Sequence, residues 1–133
     1  MAEYLLDTNH ISPLVTLGHP LRDRILARLQ TGDIFSIIFP TLHEFLFGIS
    51  ILPRAEQNLE EWRQLKGLFK YYYLDEVLVE KSVELRVLLR HQGWQLELID
   101  SLVAVTALQN DLILLTTDKD FQAVPKLRQE DWR

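Results

Sequence analysis

The most constraining feature of the sequence is an apolar stretch from Leu98 to Phe121 that carries an acidic residue near each end. Residues 98–108 are almost all apolar, small or Thr, which predicts a helix buried over most of its circumference. Residues 112–115 form an apolar run bounded by polar residues, the pattern of a parallel strand covered on both faces. We therefore expect Asp100 in the first turn of a buried helix. Asp118 should follow the C-terminal end of an interior strand, where α/β sheets bind ligands.

Composition limits the classes of protein to which the chain can belong. Its 133 residues, 47% of them hydrophobic, predict a single domain spanning 1–133. No apolar run is long enough to span a membrane, and the chain enters a strand without a basic leader, so we expect a cytoplasmic protein without a membrane anchor. The absence of Cys excludes disulfides, thiolate catalysis and zinc–thiolate sites. A net charge of −5 argues against indiscriminate attraction to a polyanion, but not against a nucleic acid bridged by metal.

The rest of the chain alternates between the two kinds of apolar pattern. Predicted strands cover residues 4–6, 34–39, 71–74 and 112–115, with a weak last segment reaching Trp132. Predicted helices cover residues 10–17, 21–29, 55–69, 77–91 and 98–108, with a further one beginning at Pro40. This alternation predicts a three-layer α/β/α domain with a central, mainly parallel sheet of four to five strands.

Helical spacing also predicts which side chains face the core. In the second helix Arg22, Arg24 and Arg28 are expected to face outward. In the helix over 77–91 the apolar face is expected to use Val83, Val87 and Leu88, with Arg86 and Arg90 on the outer face. In the helix that begins at Pro40 the core stripe is expected to contain Leu42, Phe45, Leu46 and Ile49.

Four acids that lie far apart in sequence are the candidate functional residues: Asp7, Glu44, Asp100 and Asp118. Each has an ordinary structural interpretation. The three Asp residues precede predicted helices, where an N-cap contributes about 1 kcal/mol, and Glu44 alone reads as a solvated helix residue. The combination favours a site, because two of the acids end strands expected to be neighbours and the other two lie on helices flanking the same sheet edge.

If the four acids converge, their mutual repulsion predicts a bound cation or bound protons. Two carboxylates about 5 Å apart repel by about 3 kcal/mol at an effective dielectric constant near 20. Oxygen ligands without thiolate favour Mg²⁺ or Mn²⁺ over zinc. Gly48, one helical turn from Glu44, is consistent either with open space for an ion or phosphate or with tight helix packing. The histidines lack a paired ligand spacing and are interpreted as surface or packing residues: His10, His19, His43 and His91.

Four segments carry a resemblance to a known family: LLDTN at 5–9, TLHEFLFG at 41–48, DSLVAVTAL at 100–108 and LLTTDKDF at 114–121. The chain resembles PIN-domain ribonucleases and, more narrowly, the VapC toxins of bacterial toxin–antitoxin pairs. All four motifs occur in the expected order over essentially the full length. The resemblance implies that the catalytic and metal-binding acids are Asp7, Glu44, Asp100 and Asp118. It further implies Asn9 and Thr116 as supporting polar residues and Asp120 as a candidate accessory acid. Phe45 departs from the Leu more usual in the family, which puts no catalytic residue in doubt.

The resemblance also implies an activity and partners. We expect metal-dependent endonucleolytic cleavage of single-stranded or looped RNA, with an antitoxin that folds against the protein and blocks its site. Apolar residues around 47–52 and 68–72 suit a homodimer face or an antitoxin groove, although core packing explains much of them. Basic faces formed by Arg63, Lys66 and Lys70, or by Arg86 and Arg90, could hold an RNA backbone, but interleaved Glu residues make solvated surfaces the better interpretation.

Two other functions compete with this expectation. A receiver-like phosphoacceptor would also use clustered acids and Mg²⁺, and Lys119 and Thr116 could imitate its strand-end residues. Such a domain has no counterpart of Glu44 or Asp100, which counts against it. A non-catalytic α/β interaction module is the second alternative, and the presence of all four acids counts against that one.

Overall fold

The computed structural model describes residues 1–133 and has a five-stranded sheet at its centre. The strands are β1 (Glu3–Leu6), β2 (Ile34–Ile38), β3 (Lys70–Tyr72), β4 (Ile113–Leu115) and β5 (Gln129–Glu130). They lie in the order β3-β2-β1-β4-β5, and every neighbouring pair is parallel. The prediction of a central, mainly parallel sheet of four to five strands is confirmed.

Six helices connect and flank the strands. They are α1 (Thr8–Ile11), α2 (Pro20–Gln30), α3 (Phe39–Ser50), α4 (Ala55–Leu65), α5 (Glu76–His91) and α6 (Leu98–Gln109). Short 3₁₀ turns follow α1, α4 and β4, at Ser12–Val15, Lys66–Leu68 and Lys119–Ala123. The helices predicted over 10–17 and 55–69 are therefore each an α-helix continued by a tighter turn. None of the six is both long and apolar enough to cross a membrane.

Helices cover both faces of the sheet. Side chains alternate along each strand, so a central strand such as β1 presents apolar groups to the helices on both sides. Tyr4 and Leu6 of β1 join a core cluster with residues of α1 to α4, including Ile25 and Phe45. Leu5, which points to the opposite face, joins a second cluster with residues of α5 and α6. These two clusters on either side of one sheet confirm the predicted three-layer α/β/α arrangement.

Helix α6 is the buried helix that its composition predicted. Every residue from Ser101 to Ala107 is buried, and the following turn places Asp111 at a positive φ of 53°. The helix packs along α5 and leads directly into β4. Its N-terminal turn, which contains Asp100, is the end that approaches the functional edge of the sheet.

The prediction of which face of α5 packs against the core is wrong. The buried residues are Leu78, Ser82, Leu85 and Leu89, whereas Val83, Val87 and Leu88 are about half exposed. Both sets recur at helical spacing, so the sequence pattern could not decide between them. The helix therefore presents apolar side chains to solvent as well as to the core.

Three other surface predictions are corrected in part. Arg22 does not face outward, because its guanidinium pairs with Glu61 at 2.6 Å and donates to the Leu14 carbonyl. Residues Phe47, Ile51 and Leu52 are exposed, as expected for an interface, but Phe69 belongs to the core. In α3, Phe45 and Ile49 are buried, and Leu42 and Leu46 pack against the same cluster from partly exposed positions.

The strand order creates a crevice beside β1. From β1 the chain moves to β2 and β3 on one side, then crosses back to place β4 and β5 on the other. The C-terminal ends of β1 and β4 therefore form the switch point of the sheet, which is where open α/β sheets bind ligands.

Candidate active site

Asp7 and Thr116 stand side by side at this switch point. Leu6 pairs with Leu115 at the ends of β1 and β4, and the Asp7 N–H donates to the Leu115 carbonyl at 3.0 Å. The residue that follows β4, Thr116, donates its hydroxyl to Asp7 Oδ2 at 2.8 Å. Both side chains are buried. The two strand ends predicted to be neighbours are therefore hydrogen-bonded to each other.

The Thr116 hydroxyl is fully committed to this site. Besides donating to Asp7, it accepts the Asp118 N–H at 2.9 Å and the Asn9 side-chain amide at 3.4 Å. A hydroxyl has one donor and two acceptor positions, so these contacts satisfy it and fix the direction in which its proton points. Thr116 thus aligns Asp7 and the start of the Asp118 turn together.

Asn9 is the second residue that fixes Asp7. Its amide nitrogen donates to Asp7 Oδ2 at 3.1 Å, and its Oδ1 accepts the Thr117 N–H at 3.1 Å. The same Oδ1 lies 2.7 Å from Nδ1 of His10. Because a backbone N–H can only donate, the Thr117 contact identifies Oδ1 as the oxygen and so fixes the orientation of the Asn9 amide.

Burial and hydrogen bonding act on Asp7 in opposite directions. Burial raises the pKa of Asp7, and the neighbouring Asp118 raises it further, whereas bonds from Thr116, the Thr8 N–H and Asn9 lower it. The net direction is upward, so the hydrogen bonds only partly compensate for desolvation. Asp7 also accepts the Thr8 N–H through Oδ1 at 2.9 Å, which makes it the N-cap of α1, as predicted.

Asp118 begins the turn that follows β4. It caps the 3₁₀ turn by accepting the Asp120 N–H through Oδ1 at 2.9 Å, which confirms the predicted capping role. Asp120 itself is exposed. Capping uses one oxygen of the Asp118 carboxylate, so the residue remains able to contribute its other oxygen to a ligand.

Asp100 has the most strongly shifted pKa at the site. Burial, followed by the charges of Asp7, Asp118, Glu44 and Asp120, raises the pKa of Asp100 to about 7. Asp100 lies in the first turn of its helix, as expected, and the alternative interpretation of it as a cap is wrong, because Glu97 occupies the N-cap position. Capping therefore does not explain this acid, whose pKa is raised by the charges of the other four as well as by burial.

Glu44 approaches the site from α3. Its side chain is exposed, and Oε1 accepts the Thr8 hydroxyl at 3.3 Å, which connects α3 to the residue after Asp7. A Cβ built on Gly48 would meet no atom within 4 Å, so Gly48 borders open space and the alternative of tight helix packing is wrong.

The donor set suits a hard divalent cation, although the side chains do not form a ready-made cage. No group of three or more His, Asp or Glu side chains is arranged closely enough to hold a metal ion. The acids nevertheless share one electrostatic environment, since four carboxylates act on Asp100. All the candidate ligands are carboxylate oxygens, which suit Mg²⁺ or Mn²⁺. A cation bound among these carboxylates would relieve the repulsion between them.

His10 is the residue at this site that sequence analysis missed. It was expected to be a surface or packing residue, but it is completely buried and both ring nitrogens have hydrogen-bonding partners. Burial lowers the pKa of His10 to about 4, with the nearby Asp131 acting in the opposite direction, so the ring is neutral at pH 7. The only signal in the sequence was its position between Asn9 and the buried Ile11.

The basic faces give no independent sign of an RNA site. Arg63 pairs with Glu60 at 3.0 Å on an exposed helix face, in keeping with a solvated surface. Arg86 donates to the Leu96 carbonyl at 3.0 Å and so serves the structure of the loop after α5. An RNA-binding role for either face stays a prediction.

Comparison with solved structures places the same fold in several chains of toxin–antitoxin complexes. A chain of VapBC2 from Rickettsia felis, solved with a promoter DNA fragment, superposes with a TM-score of 0.85 at 23% identity, covering 98% of this chain and 99% of that one. VapBC-1 from nontypeable Haemophilus influenzae gives 0.79 at 25% identity, covering 98% of each chain. VapC20 from Mycobacterium tuberculosis, described as a sarcin–ricin loop cleaving toxin, gives 0.65 at 17% identity, covering 94% and 98%. A search of curated proteins gives no match.

The switch-point crevice and its surrounding acids define an α/β domain with a carboxylate-lined site at the ends of its two central strands. The family model of the PIN domain matches residues 4–127, which is nearly the whole chain. The chain therefore belongs to the PIN domain family. Membership of this family excludes the alternative that the chain is a receiver-like phosphoacceptor domain.

Proposed function

We propose that this chain is a single PIN domain, 1–133, that acts in the cytoplasm as a Mg²⁺- or Mn²⁺-dependent endoribonuclease of the VapC type. Its substrate is RNA, its site residues are Asp7, Glu44, Asp100 and Asp118, and its partner is an antitoxin protein. Family membership supports nuclease chemistry, and the M. tuberculosis relative, a sarcin–ricin loop cleaving toxin, supports RNA as the substrate.

The single observation that carries the proposal is the meeting of acids at the ends of β1 and β4, where one Thr116 hydroxyl bonds both the Asp7 carboxylate and the Asp118 N–H. A pKa of about 7, raised by burial and by four neighbouring acids, means that the metal-free site stores unfavourable charge. A purely structural domain gains nothing from such an arrangement. A site that binds a divalent cation gains affinity from it, because the cation attracts each carboxylate and offsets the repulsion between them.

The residues of the chain divide into those that hold a cation and those that align them. Asp7, Asp100 and Asp118 would hold one or two ions, which supply Lewis acidity toward a phosphate and increase the acidity of a bound water. Glu44, exposed at the rim, would orient a water toward the phosphate. Asn9 and Thr116 keep Asp7 in one rotamer through bonds of 3.1 and 2.8 Å, and Asp120 adds negative charge to the same edge.

An apolar groove between α3, α4 and β3 suits an antitoxin segment. It has a volume of about 530 Å³ and is lined by residues of α3, α4 and β3, including Leu42, Leu46, Trp62 and Tyr71. Phe39 and Tyr73 pack against each other at its rim, with ring centroids 5.0 Å apart. Leu42 and Leu46 lie two positions before and after Glu44 on α3, so the groove and Glu44 lie on different faces of the same helix. A solved toxin–antitoxin complex from Klebsiella pneumoniae that shares this fold supports such a partner.

A second copy of the chain would use a different surface. The stripe formed by Val79, Val83 and Val87 on α5, together with Trp94, is exposed although apolar. Burying this stripe in a homodimer would remove it from water. The groove and the stripe lie on different helices, so a dimer leaves the groove free for the antitoxin.

The activity is tested by incubating the purified protein with a structured RNA pool in the presence of Mg²⁺, Mn²⁺ or EDTA. We expect discrete cleavage products with either metal and none with EDTA. The variants Asp7→Asn and Asp100→Asn should remain folded by circular dichroism and should give no products. Cleavage that persists in EDTA, or in a pure Asp7→Asn preparation, would contradict the proposal.

The antitoxin is tested genetically in cells that make this chain and are inhibited by it. A fragment of the source genome that restores growth should encode a protein that co-purifies with the chain. Substituting Leu46→Glu at the groove should prevent rescue while cleavage continues, and Val83→Glu on α5 serves as the matched control that is still rescued.

A further inference from the structure

The last residues of the chain contact the acidic site indirectly. Strand β5 pairs with β4, and the segment after it brings Trp132 against Tyr4 and Phe35, with ring centroids 4.9 and 5.8 Å away. The Arg24 guanidinium lies 3.8 Å above the same indole. These contacts fix the backbone of Trp132 over the end of α1, where His10 lies.

The Trp132 backbone determines the protonation of the His10 ring. Its N–H donates to Nε2 of His10 at 3.0 Å, so Nε2 must carry a lone pair. The neutral ring then carries its proton on Nδ1, and this nitrogen lies 2.7 Å from Oδ1 of Asn9. His10 therefore donates to Asn9, and a backbone group 122 residues away selects the tautomer that does so.

The hydrogen bond from His10 to Asn9 determines in turn how Asn9 bonds to Asp7. With its Oδ1 held by His10 and the Thr117 N–H, the Asn9 side chain must turn its amide nitrogen toward Asp7 Oδ2. A continuous series of hydrogen bonds thus connects Trp132, His10, Asn9 and Asp7. Every polar atom of the Asn9 side chain has a partner in this series or in Thr116.

We propose that His10 is a positioning residue for the acidic site, which orients Asn9 and through it Asp7, and which is itself held in the required tautomer by the C-terminal segment. The catalytic part of this inference rests on the proposed nuclease function, whereas the tautomer and its effect on Asn9 do not. A His that served only to fill the core would not require one particular ring nitrogen to carry the proton.

Two substitutions separate the nitrogens of the ring. His10→Asn places an amide nitrogen near the position of Nδ1 and can still donate to Asn9. His10→Gln places an amide group near the position of Nε2, so it can accept from Trp132 but does not reach Asn9. His10→Leu fills similar volume and does neither. All three lack the charge and aromaticity of His, so a difference between Asn and Gln isolates the bond to Asn9.

The first readouts do not depend on activity. Nitrogen NMR of the metal-free protein should show His10 as the Nδ1–H tautomer at pH 7. Manganese affinity can be measured by electron paramagnetic resonance. It should fall by about 10- to 100-fold in the Gln and Leu variants, which is the usual effect of losing a group that orients a metal ligand. In the Asn variant it should fall by less than about threefold. Slow exchange of the Asn9 side-chain amide protons should persist only in the wild type and His10→Asn.

The kinetic readout separates alignment from substrate binding. We expect kcat for RNA cleavage to fall by about 10-fold or more in the Gln and Leu variants, with KM changed by less than about twofold, and His10→Asn to retain most of the activity. Equal retention by Gln and Asn, or an Nε2–H tautomer in the wild type, would overturn the proposal. If the wild type cleaves no RNA, the nuclease assignment fails, whereas the tautomer and the Asn9 exchange rates still decide the role of His10.

Discussion

Thr116 donates a hydrogen bond of 2.8 Å to Asp7 across 109 residues of sequence, and this bond joins the two central strands at the acidic site. It depends on the parallel pairing of Leu6 with Leu115, which brings both residues to the same level of the sheet. Four predictions follow from this bond, from Asp100 and from the apolar stripe on α5.

Replacing Thr116 by Val removes one donor and two acceptor contacts while preserving the shape of the side chain. We expect the free energy of unfolding to fall by about 1–3 kcal/mol, because buried partners lose their bonds, and we expect RNA cleavage to fall by about 10-fold or more. Urea unfolding and product formation measure the two effects. The exposed neighbour Thr117 is the control, since Thr117→Val should change the free energy of unfolding by less than about 0.5 kcal/mol and cleavage by less than about twofold. Unchanged cleavage in Thr116→Val would show that Asp7 needs no such support.

Asp100 should make the stability of the metal-free protein depend on pH. Its pKa is raised from 3.8 to about 7, so between these values the folded protein binds more protons than the unfolded chain does. Stability from this group is therefore lost as the pH rises toward 7. Asp100→Asn, which mimics the protonated acid, should exceed the wild type in stability by more near pH 8 than near pH 5, and the gap should grow by about 1–2 kcal/mol between these pH values after allowance for solvent screening.

Chemical unfolding in EDTA at both pH values measures this difference. Asp111→Asn is a suitable control, because Asp111 is exposed at the opposite end of α6. A constant difference between Asp100→Asn and the wild type at the two pH values would contradict the raised pKa.

Metal binding should release protons at neutral pH. With the pKa of Asp100 near 7, roughly half of the molecules carry a proton there at pH 7, and a divalent cation should displace it. Calorimetric titration with Mn²⁺ in buffers of different ionisation enthalpy should give release of about half a proton per site, and Asp100→Asn should release almost none. Equal proton release by both proteins would place the titrating group elsewhere.

The exposed stripe on α5 should control self-association. Val83 and Val87 are each about half exposed, so Val83→Glu with Val87→Glu should leave the melting temperature within a few degrees of the wild type. Sedimentation analysis should show a dimer for the wild type and a monomer for the double variant. Lys81→Glu, also exposed on α5, is the control that leaves the dimer intact. A monomeric wild type at tens of micromolar would contradict the predicted homodimer.

The parts of the fold that could be predicted are those specified by local pattern. The apolar run at 112–115 and the Asp that follows β1 both depend on neighbouring residues, and both predictions were confirmed. The side-by-side placement of β1 and β4 followed from the rule that ligand sites form where the strand order reverses.

The parts that could not be predicted depend on partners distant in sequence. The buried face of α5 is selected by its packing against α6, and Val83 and Leu85 are equally apolar in the sequence. The role of His10 depends on the N–H of Trp132 near the other end of the chain, and no local pattern marks that contact. Asp100 was placed correctly in the first turn of α6, but its burial rather than capping gives it its chemical character.

The sheet order has a consequence for synthesis of the protein. Strand β1 occupies the middle of the sheet, yet its partner β4 and the acid that follows β4 are translated only after β2, β3 and the helices between them. Long-range parallel pairing of this kind forms only when both strands are available. A growing polypeptide on the ribosome therefore lacks a complete acidic site until β4 and Asp118 have been translated, so no activity that needs all four acids can begin before that point.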